Sequence, residues 1–131
     1  MTGASFICAH AAHVEWRLAL DECQQQLETQ AALRQARQGG APPLTLGWCY
    51  LSDYYAQFAE PILSALQQGW PGVAWVGTDG VGVSASGVEY FDEPAMVLMM
   101  APLILCAGLA QKFLGRALRS RPQTEAARCL R

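Results

Sequence analysis

Residues 70–103 read WPGVAWVGTDGVGVSASGVEYFDEPAMVLMMAPL, and the fold turns on this stretch. Val73 to Val76 is composed of residues that suit a pleated, largely buried surface. Gly77, Gly80, Gly82 and Gly87 then mark places where the backbone needs positive φ or a close approach. Ala95 to Leu98 runs into Met99, Met100 and Ala101 without a charge. The segment therefore predicts a strand, a bend and a second strand. Glu89, Asp92 and Glu93 gather beside Tyr90 and Phe91 just before the second strand, and aromatic walls with a few polar groups are what small-ligand sites use. A solvated acidic loop between two strands accounts for the same residues.

Working back towards the start, Ser5 to Ala9 is short, apolar and strand-like, and His13 to Gln38 has helical character. In that helix Trp16, Leu20, Cys23, Leu27 and Ala31 recur every three or four residues, giving one apolar face to lay on a sheet. Gly39 and Gly40 followed by Pro42 and Pro43 end it. Leu44 to Leu51 is almost continuously apolar or aromatic, as an interior strand covered on both faces would be. Ser52 and Asp53 can cap the next helical stretch, and Pro61 within it predicts either a kink or a fresh helix start, the latter attractive because proline suits the first turn. The order is β-α-β-α-β-β plus a terminal helix. Crossover helices between strands imply an α/β layered fold with a mixed, partly parallel sheet and flanking helices.

The totals bound the class. The chain is long enough for one ordinary domain, with enough apolar content for a core. A net charge of −2 argues against a general nucleic-acid binder, whose affinity would come from neutralising phosphates. The basic residues are unevenly placed: up to Ala110 there are only Arg17, Arg34 and Arg37, and the others crowd the end. Residues 104–131 are accordingly set apart as a basic amphipathic helix and tail, with Leu103, Cys106, Ala107, Ala110, Leu114 and Ala117 on one helical face. From Ala95 to Ala110 no side chain is charged, but this run falls short of the about 20 residues a membrane helix needs, and Pro102 divides it. Five irregularly spaced cysteines do not form a secreted disulfide framework, and the start has no basic region before its apolar residues, so the expected compartment is the cytoplasm.

Three chemical motifs stand apart. The glycines between Gly77 and Gly87 have no lysine nearby and lead into a strand, unlike a phosphate loop. Cys8, His10 and His13 form a Cys-x-His-x-x-His string of soft metal ligands without an evident fourth, and a buried thiol beside two histidines explains it equally. Cys49 could act as a nucleophile beside a histidine base, but between Trp48 and Tyr50 it reads as a small hydrophobe.

The ordered features of residues 70–103, with the corner Glu89, Tyr90, Pro94 and Ala95, resemble the amino-terminal part of the FIST domain, a sensory module. The similarity runs back to Phe6 and fades after Leu103, so residues 1–103 are expected to form a partial domain of that kind. The resemblance implies a non-catalytic domain that senses a small molecule, amino acids among the suggested ligands, and signals to a kinase, a cyclic-dinucleotide enzyme or a chemotaxis receptor. It also implies an alternative, haem-based nitric oxide sensing, which needs an axial ligand from His10 or His13. Within this reading the candidate site is Trp75, Thr78, Asp79, Ser84, Ser86, Glu89 and Tyr90. Asp79 and Glu89 receive an ammonium, Thr78, Ser84 and Ser86 orient polar groups, and Trp75 and Tyr90 supply the apolar wall. FIST proteins continue well beyond this point, whereas this chain ends in SRPQTEAARCLR, so the expectation is a truncated or frame-shifted fragment. A fragment with no independent activity is the remaining alternative, and an open helix face or strand edge would make self-association the rule.

Overall fold

The structure is a computed structural model that describes residues 6–102. Its elements are β1 (Ile7–Ala12), α1 (Trp16–Arg37), β2 (Leu46–Ser52), a 3-10 turn (Asp53–Phe58), α2 (Ala59–Gly69), β3 (Ala74–Gly80), β4 (Gly82–Ala85), β5 (Val88–Phe91) and β6 (Ala95–Ala101). The terminal helix and tail expected at 104–131 lie outside the described residues.

Four strands form a mixed sheet in the order β1-β6-β2-β3. β6 is antiparallel to both its neighbours, and β2 and β3 are parallel, joined through α2. The last strand among the described residues thus slots between the first two, where it is buried along most of its length. Alternation gives the sheet two different faces. Ala9, Cys49, Leu51, Trp75, Leu98 and Met100 point to the face covered by α1 and α2, where Leu20, Cys23, Leu27, Ile62 and Leu66 complete the main core. Gly47 is required there, because a Cβ at this position would lie 2.5 Å from the ring of Trp75.

The expected bend after β3 is instead a β-hairpin. β4 and β5 pair antiparallel across a two-residue turn of Ser86 and Gly87, with Gly87 at φ 82°. The sequence VSASGVEY carries the alternation that makes this possible. Val83 faces inward beside Ala85 and Tyr90, while Ser84, Glu89 and Phe91 face out. The hairpin lies on the sheet face opposite the helices, with Val83 against Ala95 and Val97. Asp92, at φ 54°, then turns the chain into β6, and its carboxylate accepts a hydrogen bond from the Tyr54 hydroxyl at 2.9 Å.

Two smaller expectations are corrected. Ser52 does not cap the following turn; its buried Oγ accepts the Ala95 N–H at 2.9 Å, tying β2 to the start of β6. Pro61 does not open α2 but sits in its first turn, two residues after Ala59, where a proline costs no helical hydrogen bond.

The outer edge of β1 is closed by two side chains of α1. Gln30 Nε2 donates to the Cys8 carbonyl at 2.6 Å, and the Cys8 N–H donates to Gln30 Oε1 at 3.1 Å. Gln26 repeats the exchange with His10, at 2.9 and 3.2 Å. Four helical residues rise about 6 Å and two strand residues about 6.6 Å, so the two amides match the spacing of the strand's outward groups. The pair acts as a substitute strand.

Candidate functional site

Strand pairing assembles the candidate site. Tyr50 and Thr78 are register partners on the parallel strands β2 and β3, and Leu51 faces Asp79 one step further. The chain leaves β3 through Gly80 and turns at Val81 into β4, which packs over β2 and β6. Tyr50, Leu51, Thr78, Asp79, Gly80, Gly82, Val83 and Ser84 line an open cleft of about 350 Å³. Thr78, Asp79 and Ser84 are exposed and Tyr50 is half-buried. Two other clefts, of about 290 and 340 Å³, lie against α1 and contain none of the seven residues singled out from the sequence.

Three of those seven therefore line one cleft and four do not; of the three, Thr78 has the parity of Tyr50, whereas Asp79 has that of Trp75 and Ser84 that of Glu89, which places them at the rim. Trp75 is core, 2 % exposed, on the opposite sheet face from Tyr50 and Thr78, and its buried Nε1 has no hydrogen-bond partner among the described residues. Ser86 is an exposed turn residue. Glu89 pairs with Ser84 across the hairpin but points to solvent. Tyr90 is a structural anchor, since its hydroxyl lies 2.6 Å from His10 Nδ1 on β1 and the two rings are tilted at 5.7 Å. Burial first, and then the charge of Glu93, pushes the Tyr90 phenol up, so it stays neutral and able to donate. Removing that hydroxyl with Tyr90→Phe is expected to lower stability by about 1 kcal/mol, measured as a shifted urea midpoint with unchanged circular dichroism.

The charges of the cleft are one-sided. Among the described residues the cations are Arg17, Arg34 and Arg37, all on α1 and behind the sheet as seen from the cleft. Arg17 lies over the Trp16 ring and pairs with Glu15 at 3.2 Å, and Arg34 donates to the Pro42 carbonyl at 2.6 Å. Asp79 is thus the one charged residue lining the cleft among the described residues, and it stands at the rim, because alternation gives it the parity of Trp75. Sequence reasoning missed Tyr50, although its alternation against the inward-facing Cys49 and Leu51 was the available signal.

The cysteine and histidine motifs resolve differently. Cys8 and His10 share a strand face, but His10 is bonded to Tyr90 and His13 Nε2 to Glu22 at 2.7 Å. Among the described residues no group of three or more His, Cys, Asp or Glu side chains is arranged to hold a metal ion. Each imidazole on which haem ligation would rest already has a partner, Tyr90 for His10 and Glu22 for His13. Cys49 is buried and its thiol is pushed up to about 12, a protonated state that does not suit a nucleophile. Among the described residues no helix is long and apolar enough to cross a membrane.

No family model, curated protein or solved structure matches the chain.

Proposed function

We propose that the chain is a non-catalytic sensory domain that binds a small amine-bearing molecule, amino acids among them, in the cleft between β3 and β4. The observation that carries this reading is a cleft lined by Tyr50, Thr78, Asp79 and Ser84 whose one charged residue, among the described residues, is Asp79 at its rim. Asp79, at the rim, receives the ammonium, the Thr78 hydroxyl within the cleft and the Ser84 hydroxyl at its rim orient neighbouring polar groups, and Tyr50 with Val83 supplies the apolar side. The FIST resemblance carried by Glu89, Tyr90, Pro94 and Ala95 supports a sensory role in the cytoplasm, with output to a kinase, a cyclic-dinucleotide enzyme or a chemotaxis receptor.

Signalling needs two arrangements with different affinity for the ligand. The hairpin is the suitable element, because the cleft is shared between β3 in the sheet and β4 in the hairpin, and glycines flank their junction. A molecule that touches both favours the docked hairpin. Asp79→Asn keeps the shape of the side chain and removes its charge. It is expected to weaken amine binding about tenfold, or ~1.4 kcal/mol, in calorimetric titration, with the melting temperature of the free protein unchanged. Equal affinity in the variant and the parent would refute the site.

A further inference from the structure

The sheet has two edges, and the fold treats them differently. At β1 the outward N–H and C=O groups of Cys8 and His10 are all taken by Gln30 and Gln26. At β3 the Ala74 N–H turns inward to the Thr45 carbonyl at 2.9 Å. By alternation, the backbone groups of Trp75, Gly77 and Asp79 point outward. Among the described residues β3 pairs with β2 alone, and these outward groups meet only a long 3.4 Å contact from the Thr78 hydroxyl to the Asp79 carbonyl. Ala74, Gly77, Thr78 and Asp79 are exposed, and the strand has no proline or lysine of the kind that guards free edges.

We propose that β3 is a docking edge for β3 of a second copy of this chain, paired antiparallel across a two-fold axis into one continuous sheet. Such an isologous contact must be self-complementary, and this strand is so in one register. Centred on Gly77, the pairing sets Trp75 against the partner's Asp79 and Val76 against the partner's Thr78. Every outward N–H and C=O of Trp75, Gly77 and Asp79 then meets a counterpart. The two Asp79 carboxylates fall at opposite ends, separated by about 13 Å along the strand, whereas a pairing centred on Asp79 would oppose like charges directly. By its sequence, the segment 103–131 is a poorer occupant. Residues 103–131 contain only Ile104 and Thr124 as β-branched residues, and their apolar positions recur at helical spacing.

The test is analytical ultracentrifugation of the full chain over a concentration series, with amide hydrogen exchange read at the same concentrations. The expected result is a reversible monomer–dimer equilibrium in which the amides of Trp75, Gly77 and Asp79 slow by at least about tenfold as dimer forms. The amides of Val76 and Thr78, already turned towards β2, should change little. A monomer at every concentration overturns the proposal. So does a dimer that leaves those three amides unprotected, which would use another surface. Protection of the three amides in the monomer also overturns it, since the chain would then cover its own edge.

Discussion

Replacing both Gln26 and Gln30 with alanine is expected to lower stability by up to about 4 kcal/mol, and each single change by about 2 kcal/mol, at roughly 1 kcal/mol per hydrogen bond. The two amides make four bonds to the outward edge of β1. Because the domain as a whole is expected to hold only about 5–15 kcal/mol, this is a large share. A reduced urea midpoint at unchanged denaturant slope would report it. The same variant leaves β1 as an open edge, so light scattering should rise on warming. Gln25→Ala is the control. That side chain is exposed one position away from the clamp, and its loss should stay within about 0.5 kcal/mol. If Gln25→Ala and the double variant were equally destabilised, the amides would be acting through helix propensity and not as an edge clamp.

The second large effect is steric. A Cβ at Gly77 would overlap the carbonyl oxygen of Cys49, a backbone atom in the interior strand β2 that cannot swing aside. Gly77→Ala is therefore expected to cost about 3 kcal/mol, the upper part of the usual range for overpacking. Gly72→Ala meets nothing within 4 Å and should be close to neutral. Thermal unfolding of the two variants side by side checks the contrast. Equal melting temperatures would mean that β3 does not approach β2 as described.

Much of this architecture is legible in the sequence because it rests on local periodicity. The spacing of Trp16, Leu20, Cys23 and Leu27 fixes α1 and its buried face, and the apolar runs at 44–51 and 95–101 become the two interior strands. The position of β6 between β1 and β2 is set by pairing between distant segments, for which no local signal exists. The hairpin was obscured by its length. Strands of four residues separated by Ser86 and Gly87 look like a glycine-rich bend unless the alternation of Val83, Ala85, Val88 and Tyr90 is followed through.

The site was half legible for the same reason. Thr78 and Asp79 bring polar chemistry to the end of a strand, which is where the cleft forms. Trp75 has the chemistry of an aromatic wall, yet it stands three residues from Thr78 along one strand and so has the opposite parity, which Asp79 at the cleft rim shares. It packs over Gly47 on the helix-covered face. Glu89 and Tyr90 are adjacent and likewise diverge, one to solvent and one to His10. Choosing residues by type placed them all in one pocket, and strand alternation separates them.

The most direct measurement is thermal unfolding of the full chain and of Asp79→Asn with a panel of small amines and amino acids. Binding to the native state raises the melting temperature by an amount that grows with ligand concentration over Kd. The predicted result is an upward shift for at least one amine-bearing compound, with the variant needing about ten times more of it to reach the same shift. A panel in which nothing moves the transition, or in which Asp79→Asn responds as the parent does, would contradict a ligand site in the cleft between β3 and β4.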